Sequence, residues 1–183
     1  MNPKPTKPNL PLLLDANIVI EAYRLSAWDS LIQRRTVVVP SIVIDDEALF
    51  YSRQIGDIPK SIQLARLVSD GSIGRVEATA DEMSKTGNIF DRVFIEGLHD
   101  GEMEALAIID HRPDQYMFSS GDVAAIKALA MLGHSHAGIS FERILQEAGL
   151  AKRLEKQFRD EFFREQLVVG QTNRIQGIGL KKI

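Results

Sequence analysis

Asp15, Asp46, Glu102, Glu104 and Asp122 are the residues of this chain whose type and placement could do chemistry. Asp15 ends the apolar run Leu12-Leu13-Leu14 and is followed by Ala16, Asn17 and a second apolar run. A buried parallel strand reads this way where it hands over to a helix. In open α/β sheets ligands bind beyond the carboxyl ends of the strands, so Asp15 would stand at the reactive edge. Asp122 follows the apolar Tyr116-Met117-Phe118 by four residues, and Asp46 comes early in the segment after another β-branched run. Glu102 and Glu104 fall in the first turns of a mid-chain helix. Carboxylates gathered at one edge repel one another unless a cation sits between them. Hard divalent cations such as Mg2+ or Mn2+ take oxygen ligands and keep waters, leaving room for a phosphate. That set suits phosphodiester cleavage, in which metals activate a water and neutralise the leaving oxygen.

Each acid also has an ordinary explanation. Asp15 and Asp122 are good helix N-caps. Glu102 and Glu104 favour the positive end of a helix dipole. Asp45-Asp46-Glu47 can form the wet side of an amphipathic helix. Asn17 is placed to hydrogen-bond Asp15 or a ligand phosphate. Ser119 and Ser120, with the amides that open the helix at Asp122, can hold a phosphate or simply cap that helix.

The elements that must position these residues alternate between strand and helix. Strands are expected at 12–14, at 36–39, briefly at 74–78, at 116–118 and in 137–140. Helices are expected from Asn17 to about Trp28, after Pro40-Ser41, over Lys60 to Val68, Thr79 to Lys85 and Ile89 to Leu98. Others should run from Asp100 to before Arg112, from Val123 to Leu132, from Phe141 to Ala148, and from about Lys152 to Gln166. Strands alternating with helices predict a three-layer α/β/α sandwich around a central, mainly parallel sheet.

With 183 residues, 44% hydrophobic and 26% charged, the chain has an ordinary globular balance. It contains no cysteine, which excludes disulfides and thiolate metal sites and agrees with a reducing cytoplasm. Residues 1–9, rich in Pro and Lys, read as a disordered lead. The apolar stretch after them is broken by Asp15 and Asn17, so neither a signal peptide nor a membrane span is expected. Net charge is −3 but uneven. Residues 151–183 carry eight Lys and Arg against four acids, Lys4 and Lys7 lie in the lead, and the body from 8 to 150 is left at −9. A basic C-terminal helix and tail beside an acidic body suits nucleic-acid capture or a partner contact. Trp28 reads as core packing, and His134-Ser135-His136 as a surface loop.

Taken in order, these motifs resemble those of the PIN-domain family of metal-dependent nucleases. Leu13-Leu14-Asp15-Ala16-Asn17 is similar to that family's opening motif. Pro40 to Glu47 resembles the second, with Asp46 where the family has Glu and Glu47 the next candidate. Gly101-Glu102-Met103-Glu104-Ala105 resembles the third, and Phe118-Ser119-Ser120-Gly121-Asp122 the fourth. The resemblance covers about residues 10–150. It implies a Mg2+- or Mn2+-dependent endoribonuclease in which Asp15, Asp46, Glu104 and Asp122 hold the metal, with Glu102 a further ligand. Residues two apart on a regular helix point about 200° apart, so Glu102 and Glu104 cannot both face one site; Glu104 is the expected choice. Many relatives are toxins held by a small antitoxin, and homodimers are common. An inactive PIN-like module that binds RNA or a protein is the alternative, favoured by Asp46 in place of Glu. A phosphatase of the Asp-x-Asp kind is disfavoured by Asn17.

Overall fold

The computed structural model describes residues 10–182; the expected lead at 1–9 lies outside them. Elements follow in chain order: β1 (Leu12–Leu14), α1 (Ala16–Arg24), α2 (Trp28–Arg34), β2 (Val37–Pro40), a five-residue π turn (Val43–Glu47), β3 (Phe50–Tyr51), β4 (Lys60–Ser61), α3 (Leu64–Ser69) and β5 (Gly74–Val76). Then come α4 (Ala80–Gly87), α5 (Arg92–Ile95), α6 (Asp100–His111), β6 (Met117–Ser119), α7 (Val123–Leu132), α8 (Phe141–Glu147) and α9 (Asp160–Gln176).

Four strands form one sheet in the order β5-β2-β1-β6, all parallel. Helices cover both faces, the three-layer architecture expected from the alternation. Strand side chains alternate between faces, and the core divides accordingly. Leu12, Leu14, Val37 and Val39 pack with Ile18, Trp28, Leu31 and Ile144 on one side. Leu13 and Phe118 pack with Leu106, Ile109 and Leu129 on the other. Each such aliphatic or aromatic side chain contributes about 1.5–3 kcal/mol when removed from water. Because β1 pairs with β2 on one side and with β6 on the other, the chain reverses its winding direction at β1. In open α/β folds ligands bind beyond the strand ends at such a switch point, and Asp15 and Asp122 stand there.

Several local expectations are corrected. The helix expected over 17–28 breaks at Ser26, whose left-handed φ of 53° no regular helix accepts, and a second helix follows. After Pro40 the chain forms only the π turn and then a small antiparallel hairpin, β3–β4, so the helix expected from Lys60 begins at Leu64. The strand expected in 137–140 is reduced to one parallel bridge between Gly138 and Phe118. The charged helix starts at Asp160 rather than near Lys152, and reaches Gln176. It packs closely on α7 because position 170 is glycine: a Cβ there would sit 2.5 Å from the Lys127 carbonyl oxygen. Trp28 is core, as expected, and stacks on Tyr23 at 5.0 Å. No helix among the described residues is long and apolar enough to cross a membrane.

Candidate active site

Asp15 follows β1 and starts α1. It is buried, and its Oδ1 accepts the Ala16 N–H at 2.7 Å. Its Oδ2 accepts from the Ser120 hydroxyl at 2.7 Å and from Asn17 Nδ2 at 2.9 Å. Asn17 Oδ1 in turn accepts the Gly121 N–H at 2.9 Å, while Ser120 Oγ accepts the Asp122 N–H at 3.0 Å. Asn17 and Ser120 thus fasten the end of β1 to the loop after β6. Ser119 contributes through its backbone: its carbonyl accepts the Asp15 N–H at 3.1 Å. Its hydroxyl is buried without a hydrogen-bond partner among the described residues, so in this conformation it is not open to the phosphate expected there.

Asp122 caps α7 in the way its type predicts, with Oδ1 accepting from the Ala124 and Ala125 N–H groups at 2.6 and 3.2 Å. Glu102 sits in the first turn of α6 and is nearly buried. Its Oε2 reaches back to the His99 N–H at 3.0 Å, the reciprocal half of a capping box. Glu47, at the end of the π turn, places Oε1 on the Gly101 N–H at 2.9 Å. That hydrogen bond seats Glu47 at the start of α6, one residue from Glu102.

The electrostatics join these four acids. Burial pushes the Asp15 carboxyl from 3.8 up to about 6, against the lowering effect of its Ser120 and Ala16 hydrogen bonds; the charges of Glu47 and Asp122 push the same way. Burial, followed by the charge of Asp15, raises Glu102 from 4.5 to about 7, and Asp122 adds to it. Asp15 therefore feels Glu47 and Asp122, and Glu102 feels Asp15 and Asp122, at the carboxyl edge of the sheet.

Two expected ligands fall elsewhere. Asp46 is exposed, and makes no hydrogen bond or ion pair among the described residues; the π turn carries Glu47 to the edge instead. Glu104 is buried in a different setting. Its carboxylate accepts from the Ser41 hydroxyl at 2.5 Å, the Ile42 N–H at 2.8 Å and the Ala78 N–H at 3.4 Å. It ties α6 to the ends of β2 and β5, so it holds the scaffold and not the edge. Glu102 and Glu104 thus point to different surroundings, and it is Glu102, not the expected Glu104, that lies toward Asp15 and Asp122. No local signal in the sequence makes this choice, because the capping box that Glu102 closes starts at a histidine rather than at Ser or Thr.

An all-oxygen donor set fits a hard divalent cation. Glu47, Glu102 and Asp122 each have one oxygen engaged by backbone N–H groups, while Glu47 Oε2, Glu102 Oε1 and Asp122 Oδ2 accept none of the hydrogen bonds among the described residues. In this conformation no three acidic or histidine side chains among the described residues stand close enough to surround an ion, so binding requires the acids to draw inward. The two histidines of the 134–136 loop are engaged elsewhere, with Asp110 and Asp114, each at 3.0 Å. Cavities of about 620 and about 800 Å3 open at other places, around Phe90 and along α9, and none of the four acids lines either. Chemistry, not concavity, picks out the candidate site. Comparison with known protein families, curated proteins and solved structures gives no match to this chain.

Proposed function

We propose that this chain is a divalent-metal-dependent endoribonuclease of the PIN type. What supports the reading is the placement of Asp15, Glu47, Glu102 and Asp122 where α1, α6 and α7 begin at a topological switch point, with burial first and neighbouring acids next raising Asp15 to about 6 and Glu102 to about 7. Buried like charges of this kind are costly unless a cation compensates them, and clustered perturbed carboxyls mark functional sites. Mg2+ or Mn2+ held by these acids would supply charge neutralisation and an activated water for phosphodiester hydrolysis. Asn17 and Ser120 keep Asp15 aimed at that position, and Glu104 anchors the π turn that presents Glu47. Cellular RNA, a small antitoxin and a second copy of the chain are the partners this reading implies, and the cytoplasm its location.

A second reading is a PIN-like module that binds RNA or a protein without cleaving. It is supported by the spacing of the acids, which do not close around an ion in this conformation. Degradation of a mixed RNA pool separates the two. Cleavage in Mn2+ that EDTA abolishes is expected for the nuclease; intact RNA in both conditions overturns it.

A further inference from the structure

Residues 151–159 lie outside the stretch that resembles the family, yet the fold fastens their Phe158 end beside the acidic edge. Phe158 is buried against Gly121: a Cβ at 121 would sit 2.7 Å from its ring, and Phe141 meets the same ring edge-on at 6.1 Å. Gly121 lies between Ser120, which donates to Asp15, and Asp122. Arg24, near the end of the helix that Asp15 starts, bridges Glu21 at 2.6 Å and Glu155 at 3.1 Å. Leu154 is buried as well. Phe158 therefore fixes the segment beside the loop between Ser120 and Asp122, and Glu155 ties its middle to the far end of α1.

Its cations are not used by that packing. Among these nine residues are Lys152, Arg153, Lys156 and Arg159 against one acid, Glu155. Lys152, Arg153 and Lys156 are exposed, and their side chains make no hydrogen bond or ion pair among the described residues. Arg159 donates its Nε–H to the Leu154 carbonyl at 3.0 Å, which fixes the turn. Lys156 is two residues from Phe158, a chain distance of at most about 7 Å. A polyanion approaching an acidic edge is repelled by it, and cations held next to that edge reverse the local field.

We propose that residues 151–159 form a phosphate-holding rim, in which Lys152, Arg153 and Lys156 grip the backbone of a single-stranded RNA running past Asp15 and Asp122. The rim rests on the RNA-directed reading of the acidic edge and adds which surface takes the strand. The three cations contact phosphates and carry no sequence information, so the grip is indifferent to base identity.

The test uses the full chain in EDTA, so that no cleavage intervenes, with a labelled 20-nucleotide single-stranded RNA of mixed sequence. Its dissociation constant is measured across a salt series for the wild type, for Lys152→Gln/Arg153→Gln/Lys156→Gln, and for a control with the same charge change, Lys60→Gln/Lys85→Gln/Arg92→Gln. Each phosphate contact on a single strand contributes about 0.7 to the slope of log K against log salt. The rim variant should bind at least tenfold more weakly at low salt, with a slope shallower by about 2, while the control keeps the wild-type slope. Unchanged binding in the rim variant, an equal loss in the control, or no binding by the wild type overturns the proposal. Wild-type binding with the expected rim effect, but no cleavage when Mn2+ is added, would instead count against the nuclease reading and leave the rim standing.

Discussion

Glu47 and Gly101 fit closely together: Glu47 Oε1 accepts the Gly101 N–H at 2.9 Å, and a Cβ on residue 101 would collide with Oε2 of the same carboxylate. Gly101→Ala should leave the fold intact, because the obstructing group is the end of a flexible side chain and alanine favours a helix by up to about 1 kcal/mol. Glu47 would be displaced from the edge. The variant is expected to melt within a few degrees of the wild type in EDTA and to lose most of its stabilisation by Mn2+. A full Mn2+ response would show that Glu47 is not a ligand.

Glu102 and Glu104, two residues apart, should behave in opposite ways. Glu104→Ala leaves the Ser41 hydroxyl and the Ile42 and Ala78 N–H groups without their acceptor, and each buried orphan costs about 1–3 kcal/mol. Destabilisation of at least about 3 kcal/mol is expected by urea denaturation. Glu102→Gln removes a buried charge that faces Asp15 and Asp122, so the metal-free protein should gain stability while its Mn2+ response falls. Equal effects from the two variants would contradict the division of roles.

This contrast also marks what the sequence could and could not say. Leu12-Leu13-Leu14 and Met117-Phe118 are legible because short uninterrupted apolar runs suit a buried parallel sheet, and Val123–Leu132 because its ten residues, apolar but for Lys127, are long enough for a buried helix. The edge positions of Asp15 and Asp122 followed directly. Asp46 and Glu47 are not separable in the sequence, because its pattern suits a regular helix where the chain makes a π turn, and one residue of register decides which acid reaches α6. Glu104 and Glu102 were separable only by knowing that Ser41 and Ala78 converge on residue 104, a long-range contact. The late start of α9 and its packing on α7 through Gly170 are likewise set by tertiary contact rather than by local pattern.

The raised carboxyls of Asp15 and Glu102 make a signed pH prediction. Between about pH 4 and 7 the fold holds protons that the unfolded chain has released, so the metal-free protein loses stability as pH rises through that window. Below about pH 4 both groups are protonated in both states and carry no penalty. The gap in melting temperature between Glu102→Gln and the wild type in EDTA should therefore widen in favour of the variant from pH 5 to pH 8. A gap that narrows would contradict the assignment. Mn2+, which requires the ionised acids, should shrink the gap most at the higher pH.

Asp122 has two jobs that substitution can part. Asn is as good an N-cap as Asp, and Ala gives up about 1 kcal/mol. Asp122→Asn should keep α7 capped and melt close to the wild type in EDTA; Asp122→Ala should melt lower. Both should lose Mn2+ stabilisation. If Asp122→Asn retains it in full, the residue is a cap alone.

The central claim is that Asp15, Glu47, Glu102 and Asp122, and not Asp46 or Glu104, hold the divalent cation. Calorimetric titration with Mn2+ tests it most directly, on the wild type and on Asp15→Asn, Glu47→Gln, Glu102→Gln, Asp122→Asn and Asp46→Asn. Loss of one direct carboxylate ligand should weaken binding at least tenfold in each of the first four variants, while Asp46→Asn binds as the wild type does. Wild-type affinity in the Glu47 and Glu102 variants together with loss in Asp46→Asn, or no Mn2+ binding by the wild type, would contradict the account.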